Sequence, residues 1–371
     1  MTREEIMNIP KLGFGLMRLP EKDGHIDIEK TCEMVDMFLA KGYKYFDTAY
    51  LYGGGESERA VKEALTKRHP RDSFYVATKI PNFAIKCKED MDKIFNEELE
   101  RTGLEYIDFY LLHNLTSSNI EAFESCDCWN WLKAKKEAGL IKNYGFSCHD
   151  GPEFLEKALT DHPDVDFVQL QINYADWEAD NVQSKACYET VVKHGVPVMI
   201  MEPVKGGTLA ALRHELEEIF KEANPDASVA SWAIRYAAGL PGAAVVLSGM
   251  STLEQVKDNL ATFEDIKPLT DDEMAVIEKV KNIMASAETI PCTSCKYCVD
   301  GCPMQINIPG IFSIYNNVKT YGLSARYQGE YDNRHTAHAS DCIACGQCEE
   351  ICPQHLSIID LLKGAAEVFG K

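Results

Sequence analysis

A chain of 371 residues with 45% hydrophobic side chains can bury one large core and a second, smaller one. Its net charge of −20, without a clustered Lys/Arg face, argues against nucleic acid as a partner. No apolar run reaches the length of a membrane span, and the opening MTREEIMNIPKLG lacks the layout of an export signal, so the cytoplasm is the expected compartment. From Glu288 onward there are 6 basic and 9 acidic residues, which leaves −17 of the −20 in the first 287.

Between Leu12 and Met250 short β-rich runs alternate with stretches of helical periodicity. The runs begin at Leu12, Tyr45, Phe74, Phe109, Tyr144, Phe167, Val198 and Val245, and SERAVKEALTKR and the segment around Trp131 read as two of the intervening helices. Eight strands, most followed by a helix, predict an α/β fold closed as a (β/α)8 TIM barrel over residues 1–287. Polar side chains gather where these runs end, at Asp47, Tyr52, Lys79, His113, Ser147, Gln169, Glu202 and Ser248. That is the rim on which barrel enzymes place their chemistry. A helix is predicted from about Thr270 to Ala287, with Thr270 or Asp271 as cap and Glu273 in its first turn.

Residues 288–371 form a small, mainly helical domain defined by cysteine. Cys292, Cys295, Cys298 and Cys302 precede Pro303, and Cys342, Cys345, Cys348 and Cys352 repeat the spacing before Pro353. This is the spacing of two 4Fe-4S clusters in a bacterial-type ferredoxin, where three close thiolates hold one cubane and the fourth reaches across to the other. Crossed ligation would place Cys292, Cys295, Cys298 and Cys352 on one cluster and Cys342, Cys345, Cys348 and Cys302 on the other. The 39 residues between the tracts, with a helical-looking IPGIFSIYNNVKTYG, resemble the helical ferredoxins attached to larger oxidoreductases. The six other cysteines, Cys32, Cys87, Cys126, Cys128, Cys148 and Cys187, read as reduced thiols, mostly buried; the Cys126/Cys128 pair has no assigned role.

Over residues 8–262 the words FDTAYLYGGGESE, VATK and DFYLLH, with GFG at Gly13–Gly15 and EQVKDNL near Asn259, resemble the aldo-keto reductase family. The resemblance implies a catalytic tetrad of Asp47, Tyr52, Lys79 and His113. Tyr52 would exchange the proton with a substrate carbonyl or alcohol oxygen, Lys79 would lower its pKa, Asp47 would hold Lys79, and His113 would fix the substrate oxygen. It also implies a nicotinamide cofactor gripped by Ser147, Gln169, Met201, Gly206, Gly207 and Asn259. Three departures stand out: Cys148 replaces an Asn, Met201 replaces the stacking tyrosine, and Gly249, Met250 and Gln255 stand where a 2′-phosphate would meet Lys, Ser and Arg. The lost cations favour NAD(H) over NADP(H), and phosphate-binding loops at the rim leave FMN open.

The expected function is oxidoreduction of a small carbonyl or alcohol, with the clusters linking it to ferredoxin or another one-electron carrier. The alternative is an iron-sulfur electron-transfer or redox-sensing protein whose barrel only binds a cofactor. The mismatch between two-electron hydride and one-electron clusters keeps both open.

Overall fold

The computed structural model describes residues 1–334 and 336–370, without the side chains of Asp300 and Arg334. Two compact units emerge, Met1–Gly206 with Ala233–Leu269, and Gly207–Trp232 with Thr270–Lys371.

The first unit contains a closed barrel of eight parallel strands. They are β1 (Leu12–Gly15), β2 (Tyr45–Asp47), β3 (Tyr75–Pro81), β4 (Ile107–Leu115), β5 (Ile141–Cys148), β6 (Phe167–Gln171), β7 (Val198–Met201) and β8 (Ala243–Gly249). Each neighbours the next in sequence, and β8 closes against β1. The run expected from Leu12 is shorter than its composition suggested, because Leu16–Arg18 turns into a 3₁₀ helix. Inward-facing Tyr45, Ala77, Phe109, Leu111, Phe167, Met199, Val245 and Leu247 fill the barrel as one cluster. Residues of the other parity, such as Phe46, Val76, Tyr110 and Phe146, join the core beneath the helices. A Cβ at Gly145 would stand 2.1 Å from the Phe167 carbonyl oxygen, so only glycine lets β5 and β6 approach there.

The helix Arg3–Met7 covers the N-terminal mouth. Its Ile6 joins the barrel cluster, and Arg3 donates to the carbonyls of Pro163, Val165, His194 and Gly195, which precede β6 and β7.

In the second unit the helix Asp271–Ala285 starts in a capping box between Thr270 and Glu273, as its sequence predicts. The first cysteine tract lies between the helices Asp271–Ala285 and Ile308–Tyr321, and the second between Ala325–Arg334 and Ile358–Phe369. Their core includes Ile308, Phe312, Tyr331, Leu362 and Phe369, with the Tyr331 and Phe369 rings stacked at 4.1 Å. The two tracts are a structural repeat fifty residues apart. Ser294 and Ala344, Lys296 and Gly346, and Gln305 and His355 all have positive φ, and Gln305 and His355 each donate their N–H to the last cysteine's carbonyl, at 3.0 and 3.1 Å.

Candidate active site and cysteine cages

Strand register brings Asp47, Lys79 and His113 to one rim: Asp47 lies beside Ala77 two residues before Lys79, and His113 lies beside Pro81 two residues after it. The fully buried Lys79 ammonium donates to Asp47 Oδ1 at 2.5 Å, to the Thr48 carbonyl at 2.7 Å and to Tyr52 Oη at 3.4 Å. Burial alone would push Lys79 down, but the Asp47 carboxylate and Tyr52 carry it above its ordinary value, so it stays charged. Tyr52 departs from expectation. Lys79 does pull its pKa down, but burial outweighs that pull, and Asp47 and Glu202 add to burial, so the phenol sits above its ordinary value. At neutral pH Tyr52 therefore keeps its proton.

His113 meets the Tyr52 ring edge-on, with centroids 6.0 Å apart, and its buried Nδ1 has no partner among the described residues. Burial first, then Lys79 and His149, push its pKa down to about 3. The ring is thus a neutral imidazole throughout the working range. Between about 3 and the unfolded value near 6.5 the unfolded chain binds a proton that the folded site refuses. The site's contribution to stability is therefore complete above about 6.5 and is lost as pH falls through that window. Turnover should show no His113 ionisation between pH 5 and 9. A kcat/KM profile measures this, and a limb near 6.5 that disappears in His113→Gln would contradict it.

The expected cofactor residues are less uniform. Ser147 Oγ is buried and accepts from Asn114 N–H at 2.8 Å. Gln169 donates to Asp47 Oδ2 at 2.9 Å, which ties it to the tetrad, and Asn259 donates to Ser248 Oγ at 2.7 Å. Each amide nitrogen thus gives one of its two N–H groups to a protein partner. Met201 ends β7 partly exposed. Gly206 and Gly207 have φ of 63° and 96° and lie in the 3₁₀ helix Lys205–Ala210. The space where a Gly207 Cβ would stand is empty to 4 Å, so backbone conformation rather than crowding calls for glycine there.

In the second unit two cavities collect the eight tract cysteines. One is lined by Cys292, Cys295, Cys298 and Cys352, with Ile308 and Phe312; the other by Cys302, Cys342, Cys345 and Cys348, with Ile306 and Leu362. This is the crossed grouping that the spacing predicts. Among the described residues no three His, Cys, Asp or Glu side chains gather closely enough for a single metal ion. The quartets surround space instead, and an all-thiolate set in an apolar pocket fits a 4Fe-4S cubane. Burial raises the Cys298 thiol to about 11, and the neighbouring tract thiols add to it. Of the six other cysteines, Cys126, Cys128, Cys148 and Cys187 are buried, Cys32 is half-buried and Cys87 is exposed. Cys126 and Cys128 pack into the core beneath the barrel helices.

Residues 11–282 match the model of the aldo/keto reductase family. The chain belongs to that family. Residues 291–356 match a 4Fe-4S dicluster domain. Among curated relatives, an aldo-keto reductase of Mycolicibacterium vanbaalenii is 29% identical over 73% of this chain and 88% of its own. A 9,11-endoperoxide prostaglandin H2 reductase of Trypanosoma cruzi is 26% identical over 76% of this chain and 90% of its own. An aldo-keto reductase of Bacillus halodurans, solved in its holo form, superposes with a TM-score of 0.58 at 26% identity, covering 72% of this chain and 91% of that one. One of Klebsiella pneumoniae, in complex with NADPH, gives 0.59 at 22% identity, covering 74% and 91%.

In this aldo/keto reductase the segment carrying Tyr52 is fastened from behind by a residue that sequence reasoning missed. Arg101, near the end of the helix Lys88–Thr102, donates to the Tyr50 carbonyl and to Glu58 Oε2, both at 3.2 Å. Its guanidinium also stacks over the Tyr50 ring at 4.2 Å. Glu58 accepts from Thr78, the neighbour of Lys79, at 2.7 Å, so one clamp braces both sides of the Lys79–Tyr52 contact. An arginine on a helix face gives no sequence signal of this. Arg101→Met should lower kcat about tenfold while changing KM little, because small misplacements of a reacting group are costly. Steady-state kinetics test it, and an unchanged kcat contradicts the clamp.

Proposed function

We propose that the barrel interconverts a carbonyl compound and its alcohol with a pyridine nucleotide, Tyr52 Oη giving the proton in reduction and taking it in oxidation. The observation that carries this reading is the buried contact series from Asp47 through Lys79 to Tyr52, with neutral His113 alongside. The nucleotide supplies or accepts the hydride. As Tyr52 releases its proton to the substrate oxygen, the Lys79 ammonium 3.4 Å away stabilises the phenolate left behind. Asp47 and the Thr48 carbonyl keep that ammonium in place. Neutral His113 donates one hydrogen bond to the substrate oxygen and fixes its distance from Tyr52.

The expectation of NAD(H) rests on Gly249, Met250 and Gln255. Two Klebsiella pneumoniae neighbours complexed with NADPH, or with NADP and acetate, weigh against it, and FMN draws no support from the relatives. The ratio of kcat/KM for NADPH and NADH decides: a tenfold preference for NADPH would overturn the reading of the missing cations.

For residues 288–371 the reading is a one-electron module with the crossed ligand sets Cys292, Cys295, Cys298, Cys352 and Cys302, Cys342, Cys345, Cys348. Cys295 and Cys345 are exposed, which favours electron exchange at that unit's surface with ferredoxin or a similar carrier. Titrating anaerobic protein with reduced nucleotide tests the link. Bleaching of the cluster absorbance supports it; an unchanged spectrum beside active carbonyl reduction contradicts it.

A further inference from the structure

The C-terminal rim of the barrel carries a carboxylate that the reaction above does not use. Glu202 directly follows Met201, the last residue of β7, and is exposed. Its φ of +53° is a conformation that a non-glycine residue adopts at a cost, so the surroundings must impose it. They do so through its carbonyl, which accepts from Lys205 N–H at 2.9 Å and from Asn173 Nδ2 at 3.2 Å. Asn173 and Gln171 are both anchored on buried Asp176, at 2.8 and 2.9 Å. The cation nearest in sequence, Lys205, pairs with Asp176 as well. Among the described residues no donor is bonded to the Glu202 carboxylate.

Register says where this carboxylate stands. Gln171 lies beside Met201, and Cys148 beside Leu170. Gln171 and Met201 therefore share a level above the Ser147–Gln169 layer, whose Gln169 reaches Asp47, and His149 and Glu202 directly follow the ends of β5 and β7. Glu202 is close enough that its charge bears on both Tyr52 and His149, and His149 in turn bears on His113. Burial holds both imidazoles below their ordinary pKa, and Lys79 is spent on Asp47. Among the described residues near Tyr52 are thus the Glu202 carboxylate and two neutral rings, while Arg18, just past the end of β1, donates to the Gly206 carbonyl.

We propose that Glu202 is a specificity residue that accepts a hydrogen bond from a hydroxyl next to the reacting carbonyl, so that the substrate class is an uncharged, polyhydroxylated aldehyde or ketone. This rests on the carbonyl chemistry proposed above. Keto acids and sugar phosphates are turned away by like charge, and an analogue lacking the hydroxyl forgoes the hydrogen bond to Glu202.

The test compares glyceraldehyde, propanal and glyceraldehyde 3-phosphate as substrates for the full chain and its Glu202→Ala variant. The native protein should favour glyceraldehyde over each of the others by about tenfold or more in kcat/KM. Glu202→Ala should erase the advantage over propanal and raise the rate with the phosphate about tenfold. Unchanged ratios in the variant, or a native preference for the phosphate, overturn the proposal. If neither protein turns over any aldehyde, it is the carbonyl reading that has failed, and thermal-shift titration with the non-reacting pair ribitol and ribitol 5-phosphate then decides. Loss of ribitol binding and gain of phosphate binding in Glu202→Ala support Glu202's role; identical binding in both proteins overturns it.

Discussion

Tyr52→Phe should lower kcat for carbonyl reduction by about 10²–10⁴-fold while leaving nucleotide affinity nearly unchanged, the loss expected when a positioned general acid is removed. The phenol oxygen accepts from Lys79, and phenylalanine removes that oxygen while keeping the ring that meets His113 edge-on. Because Tyr52 is raised above its ordinary pKa, chiefly by burial, it stays protonated through neutral pH, so reduction should hold steady there and fall only as the solution becomes alkaline. Oxidation needs the deprotonated form and should rise over the same alkaline range. Stopped-flow rates and nucleotide binding by fluorescence quenching measure the two quantities separately. A variant slowed less than tenfold would take the proton-transfer role away from Tyr52.

The second large effect lies in the cysteine cages. Cys298 and Cys352 line the same cavity although they are 54 positions apart in sequence, and Cys302 lines the other although only three residues lie between it and Cys298. Under anaerobic purification, Cys352→Ser should disturb the same cluster signal as Cys298→Ser, each losing roughly half the iron, while Cys302→Ser disturbs the other. Iron analysis and low-temperature EPR of the reduced proteins distinguish these. If Cys302→Ser and Cys298→Ser instead affect one cluster together, ligation is sequential and the crossed assignment is wrong. Either loss should also destabilise the C-terminal unit, because the cavities are part of its core, with Cys298, Cys348 and Cys352 buried among Ile308, Phe312 and Leu362.

Much of this architecture is legible before any coordinates. Eight strands and the capped helix Asp271–Ala285 follow from local periodicity and capping chemistry, which act over a few residues. The grouping of Asp47, Lys79 and His113 follows from each standing at the end of a strand in a barrel, and the cage cysteines follow from tract spacing. What sequence hides is long-range and electrostatic. Arg101 reaches across 51 positions to Tyr50, and Gln169 crosses 122 to bond Asp47, a link that no local word encodes. The pKa of Tyr52 was expected to fall because Lys79 is its neighbour, but burial, which local words do not encode, dominates. Likewise the strained backbone of Glu202 depends on Asn173 and Asp176, contributed by the segment after β6.

The most direct test of the central claim, that the barrel passes hydride between a pyridine nucleotide and a carbonyl carbon while Tyr52 handles the proton, is an isotope experiment. Nucleotide deuterated at the transferable position of the nicotinamide ring is turned over with an aldehyde under argon, and the alcohol is analysed by NMR. Direct hydride transfer puts one deuterium on the carbinol carbon at full enrichment, at one stereochemical face. Alcohol formed without deuterium, with the label released to solvent, would show that the electrons travel by another route and would contradict the account.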